Sequence, residues 1–73
     1  MLSKEEIAIR FKHIRDRTGL AQKAFGLEVG LTEYSVIQIE KGRIIPDVHV
    51  ISSIELLGYN RDYFFVDDAN PLR

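Results

Sequence analysis

Residues Gln22–Gly42, QKAFGLEVGLTEYSVIQIEKG, hold two short apolar-periodic runs on either side of a glycine. Phe25 and Val29, with Ala24 beside them, are spaced for one face of a helix, and so are Val36 and Ile39. Gly30 stands at the C′ position of the first run, where glycine enters the left-handed region without a Cβ clash. Leu31 follows and is expected to point inward. Thr32 is a natural N-cap for the second run. The layout is that of a helix-turn-helix, in which a turn of a few residues sets a steep, fixed crossing. Gly26 would let the two backbones approach closely, while Val29, Leu31, Val36 and Ile39 fill the wedge between them.

Working outward, Ser3 and Glu6 form an S-x-x-E capping pattern. They open a helix over about Lys4–Arg17, with Ile7, Ala8, Phe11 and Ile14 apolar. Leu20 is expected to be buried in the connection that follows. Helices are predicted over about Gln22–Val29 and Glu33–Lys41. Pro46 and the N-cap Asp47 begin a fourth, which carries Val48, Ile51, Ile54 and Leu57 and ends at Gly58. Asn60 caps a last short helix near Arg61–Phe65. The prediction is an all-α fold of five helices, with one domain over residues 1–66 and a frayed tail over 67–73. Only Tyr63–Val66 has strand propensity.

Composition narrows the function. The chain has 73 residues, 45% hydrophobic and 29% charged, as in an ordinary soluble domain. It contains no cysteine, and its two histidines, His13 and His49, lie apart without an acidic cluster. Disulfides and thiolate metal sites are therefore excluded, and no cofactor is expected. No nucleophile–base constellation or glycine-rich phosphate loop points to an enzyme. No stretch is long and apolar enough to span a membrane. The polar start Met1–Glu6 does not resemble a signal peptide, so a cytoplasmic location is expected. Net charge is −1, but residues 1–43 carry eight basic and six acidic side chains, against two and five in residues 44–73. An anionic partner is expected to meet the N-terminal half.

The chain resembles the lambda-repressor and Cro type of helix-turn-helix domain, the Xre family, over residues 7 to about 65. The resemblance rests on Arg15 with Gly19, Leu20 and Gln22, on Val29–Thr32, on Val36 and Ile39–Gly42, and on Pro46. It implies a buried ion pair between Arg15 and Glu40 that links the first and third helices. It also implies double-stranded DNA as the partner and transcriptional regulation as the role, in a bacterial or phage-encoded protein. The expected form is a repressor of phage or mobile-element type, bound as a homodimer to an inverted repeat.

In this motif the second helix lies in the major groove, with its N-terminal residues at base edges. Glu33, Tyr34, Ile37, Gln38 and Lys41 would face the groove. Gln38 can bond adenine bidentately, Glu33 can accept from cytosine N4, and apolar contacts suit thymine methyls. Backbone N–H groups near Gln22 and Lys23 would hold phosphate, with Thr32, Ser35, Lys41 and Arg43 as further contacts. Arg10, Lys12 and Arg17 read as plain surface. Glu33 equally suits the positive end of a helix dipole, and Tyr34 and Ile37 equally suit a protein interface.

Some positions depart from the family pattern. Ile44-Ile45 replaces residues that are commonly basic, Gly26 replaces an alanine, and the fourth helix is one residue shorter. Ile44, Ile45, Val48, Tyr59, Tyr63, Phe64 and Phe65 exceed what a small core requires. A homodimer patch over Ile45, Val48, Tyr59, Tyr63, Phe64 and Phe65 is expected, the alternative being that the aromatics close a monomer core. With net charge −1, Glu33 and apolar Ile37, a regulatory protein partner is the competing reading, as for an antirepressor or antitoxin-like module.

Overall fold

The computed structural model describes residues 2–73. Its elements are α1 (Lys4–Thr18), α2 (Gln22–Val29), α3 (Glu33–Glu40) and α4 (Val48–Leu56), followed by a 3-10 turn (Arg61–Phe64). No strand occurs among the described residues, only an isolated antiparallel bridge between Tyr59 and Leu72. The helix starts are set locally. Ser3, Thr32 and Asp47 side chains accept from the N–H groups of Glu6, Ser35 and Val50. Each bond satisfies one of the donors that a helix leaves orphaned. Glu6 does not complete a reciprocal box with Ser3; its carboxylate accepts instead from Arg10 Nε at 3.2 Å.

The turn between α2 and α3 depends on two glycines. Gly30 adopts φ 78°, and Leu31 N–H donates to Gly26 C=O at 2.8 Å, closing α2 in the 6→1 manner. This folds the chain back onto Gly26. A Cβ there would stand 2.6 Å from the Leu31 carbonyl oxygen and 3.3 Å from Val36 Cγ2. Glycine is thus imposed by backbone contact, and its presence in the helix is not merely a propensity cost.

The core comprises Ile7, Phe11, Ile14, Phe25, Val29, Val36, Ile39, Val50, Ile51, Ile54, Tyr63 and Phe64. Leu2, Leu20, Leu31 and Tyr59 pack around it. Phe11 and Phe25 meet edge to face, with ring centroids 5.4 Å apart. Helix α3 packs on α1 and α2, α4 on α2, and the 3-10 turn closes against α1 and α4.

Several expectations need correction. The fifth element is a 3-10 turn of four residues, so the described residues form four α-helices and not five. In α4 the buried set is Val50, Ile51 and Ile54, whereas Val48 is 58% and Leu57 40% exposed. A stripe stepping by threes falls about 60° short of a full turn at each step. Over the three steps from Val48 to Leu57 it drifts to the opposite side of the helix. The tail is hydrogen-bonded back to the segment that follows α4. Asn60 N–H donates to Pro71 C=O at 2.9 Å, Asn60 Nδ2 to Asn70 C=O at 3.1 Å, and Arg73 N–H to Gly58 C=O at 3.3 Å.

Arg10 accounts for much of that docking. It is buried, not plain surface, and lies within the apolar stripe of α1. Its guanidinium donates to the carbonyls of Tyr63 (2.8 Å), Val66 (3.0 Å) and Asp67, and sits 4.6 Å from the Tyr63 ring centroid. His13 Nδ1 meets the Tyr63 hydroxyl at 2.6 Å. A buried cation is tolerated here because every arm of it finds an acceptor.

Gly26→Ala tests the turn. Helix propensity alone would raise stability by about 0.5–1 kcal/mol. The clash with Leu31 is expected to reverse that sign, with a net loss of about 1–3 kcal/mol by urea unfolding. A stabilised Gly26→Ala protein would contradict the close approach.

Candidate nucleic-acid interface

Helix α3 divides cleanly along its length. Val36 and Ile39 are fully buried. Glu33, Tyr34 and Lys41 are exposed, and Ile37 and Gln38 half-buried. Positions 33, 34, 37, 38 and 41 fall one turn apart in pairs and share the outer face. Tyr34 is 69% exposed at the head of this face. Thr32 and Ser35 are tied at the helix start, where the Thr32 hydroxyl accepts from Ser35 N–H and donates to Ser35 Oγ, both at 3.1 Å. At the far end Arg43 Nη1 donates to Gln38 Oε1 at 3.2 Å on the exposed surface.

The inner side of α3 is held by an ionic junction. Arg15 Nε donates to Glu40 Oε2 at 2.7 Å and Arg15 Nη2 to Glu40 Oε1 at 3.1 Å. A two-point pair of this kind fixes orientation as well as distance. Arg15 Nη1 also donates to Leu20 C=O at 3.0 Å. One guanidinium therefore joins α1, the α1–α2 connection and α3. The Arg15 and Glu40 side chains are only 14% and 7% exposed. The hydrogen bond to Glu40 raises the basicity of Arg15 above its ordinary value, against an opposing effect of burial. Arg15 thus stays charged at every accessible pH, and Glu40 adds no free negative charge to the outer face.

Beside this junction lies an open groove of about 420 Å³, lined by Lys12, Arg15, Ala21, Gln22, Ile37, Glu40 and Lys41. Gln22 Nε2 donates to Glu40 Oε1 at 3.1 Å. Ala21 is the N-cap of α2 and provides no side-chain cap. The first N–H groups of α2, from Gln22 and Lys23, are left for an outside acceptor. Lys12 was not expected here; it stands one turn before Arg15 on α1, and that spacing was the available signal. Exposed Lys12, Lys23, Lys41 and Arg43 give the surface its cations, and Glu33 is the exposed carboxylate of α3.

The expected dimer patch divides. Ile45 (43%), Val48 (58%) and Phe65 (38%) are exposed, as is Ile44 (44%). Tyr59 is half-buried against the core. Tyr63 and Phe64 are buried at 9% and 0% exposure, and this corrects their placement on an outer face. The 3-10 turn directs both rings inward, where they close the space between α1 and α4.

The described residues contain no group of three or more His, Asp and Glu side chains that could hold a metal ion. No described helix is long and apolar enough to cross a membrane. The chain matches no family model, no curated protein and no solved structure.

Glu40→Ala leaves Arg15 without its partner, and the expected loss is about 3–5 kcal/mol by chemical unfolding. The double variant Arg15→Met/Glu40→Leu removes both charges and is expected to recover part of that loss. A Glu40→Ala protein as stable as the parent would show the junction to be dispensable.

Proposed function

We propose that the chain is a sequence-specific DNA-binding regulator of transcription, a repressor of phage or mobile-element type. In this reading it is a helix-turn-helix domain of the lambda-repressor and Cro type, and α3 is its recognition helix. The observation that carries the reading is the outer face of α3. It presents Glu33, Tyr34 and Lys41 exposed and Ile37 and Gln38 half-buried on one side of the helix. An eight-residue helix is about 12 Å long, and the major groove is about 12 Å wide.

Three further features support the reading. The uncapped start of α2 offers N–H groups and a partial positive charge to a phosphate. Lys12 and Lys41 line the groove, Arg43 bonds Gln38 on the face, and Lys23 is exposed in the first turn of α2. The Arg15–Glu40 pair removes the one carboxylate that would otherwise sit uncompensated behind it. Thr32 and Ser35, next to the turn, are suited to backbone contacts. No cofactor enters this reading, and its partner is double-stranded DNA.

A single protomer makes few phosphate contacts, so the proposed binding form is a homodimer on an inverted repeat. Half-sites would lie about one DNA turn apart. The exposed run Ile44, Ile45 and Val48, with Phe65, supplies the apolar surface for the pairing. A second reading has α3 docking on a regulatory protein. Its support is the pairing of Tyr34, 69% exposed, with the carboxylate of Glu33 at the leading end of the helix.

Selection of binding sites from a random duplex pool separates the two. The DNA reading predicts an enriched two-fold sequence, with a salt slope near −0.9 for each phosphate neutralised. Gln38→Ala is expected to lose about 1–3 kcal/mol at one base pair per half-site. Lys23→Ala is expected to weaken all sequences alike. Absence of any enriched sequence, with affinity indifferent to salt, would favour the protein-docking reading.

A further inference from the structure

Gln22 opens α2 and lines the groove together with Lys12 and Lys41. Its side-chain amide has two possible orientations, and chemistry selects one. Glu40 is paired on both oxygens with the permanently charged Arg15. An ionised carboxylate only accepts hydrogen bonds, so the Gln22 NH₂ group must face it. The reverse orientation would set a carbonyl oxygen against a carboxylate. The observed bond, Nε2 to Glu40 Oε1 at 3.1 Å, has the required polarity.

The opposite edge of the amide is then fixed as well. Gln22 Oε1 receives no hydrogen bond from the described residues, and it is not among the buried atoms that lack a partner. It is therefore not sealed from solvent, in a half-buried side chain at the groove. One N–H of the amide also remains free. A phosphate oxygen offers acceptors only and gains nothing from a carbonyl. A base amino group is a donor and matches it, as adenine N6 and cytosine N4 do in the major groove.

We propose that Gln22 is a specificity-determining residue, whose amide Glu40 holds with its carbonyl oxygen outward to accept from a base amino group. This rests on the DNA-binding reading above. Arg15 positions Glu40, Glu40 positions Gln22, and the pair that joins α1 to α3 also sets which edge of Gln22 faces the duplex. On the same surface Gln38 has its oxygen occupied by Arg43 and its NH₂ free. The two glutamines thus present opposite polarities, an acceptor from α2 and a donor from α3. The acceptor on Gln22 selects amino bases, whereas the donor on Gln38 can meet purine N7, guanine O6 or thymine O4.

The test is site selection from a random duplex pool with the wild-type chain, Gln22→Met and Gln22→Ala. The wild type should prefer adenine or cytosine over guanine or thymine at one position per half-site, by about tenfold. Both variants should lose that preference alone and keep the wild-type preference at every other position. A uniform loss on all sequences, with the salt slope unchanged because a neutral amide neutralises no phosphate, would make Gln22 a phosphate contact and overturn the proposal. An unchanged selection profile would also overturn it while leaving the DNA reading intact. If the wild type enriches no sequence, both fall. A measurement on the unaltered free protein guards against variants that fail to fold. The Gln22 side-chain NH₂ protons should exchange slowly, with one shifted downfield by the carboxylate. Fast-exchanging protons at random-coil shifts would contradict the fixed orientation.

Discussion

The two-point pair between Arg15 and Glu40 is the constraint on which the arrangement of this small fold depends. Helix α3 has only eight residues, and few of them face inward. Val36 and Ile39 give it apolar anchorage, but apolar contact is non-directional and leaves rotation about the helix axis loosely set. The guanidinium of Arg15 removes that freedom. It holds the end of α3 against α1 through two bonds and grips the Leu20 carbonyl of the intervening connection with a third. What faces outward from α3 is therefore decided by what is fastened inside. Replacing such a pair by apolar residues can be nearly neutral for stability. Its value here lies in orientation, since the charges also dictate the polarity of the neighbouring Gln22 amide.

A second cationic side chain organises the other half of the molecule. Arg10 stands on the α1 stripe between Ile7 and Ile14 and reaches three carbonyls of the C-terminal segment. Tyr63 lies between it and His13, and Phe64 fills the core beside α4. Helix α1 thus carries two arginines with different duties. Arg15 fastens the element that presents the proposed reading surface. Arg10 fastens the segment that closes the core behind it. A chain of 73 residues has little core to spare, and satisfied buried cations add the directionality that a small apolar core lacks.

Features written in local chemistry were legible in the sequence. Ser3, Thr32, Asp47 and Asn60 each cap the element expected of them. Gly30 makes the turn for the stated reason, and Arg15 meets Glu40 as the family resemblance implied. Features that depend on distant partners were not legible. An arginine in an apolar stripe reads as surface until three carbonyls from more than fifty residues away are placed around it. Tyr63 and Phe64 suit an exposed patch as well as a core, and only the 3-10 geometry chooses between them. The burial of Val50 over Val48 follows from the side of α4 that meets α2 and the 3-10 turn. At the candidate interface the residue types were readable, but the orientation of the glutamine amides was not. That orientation depends on Glu40 and Arg43, brought alongside by the fold.

In the proposed function, the outer face of α3 and the open start of α2 form one surface for duplex DNA. Titrating isotopically labelled protein with a mixed-sequence duplex at low salt, and following backbone and side-chain amide resonances, tests this directly. Shifts should concentrate at Gln22–Ala24 and Thr32–Arg43 and fade as salt is added. Shifts confined to α4 and the C-terminal segment, or no shifts at low salt, would contradict it.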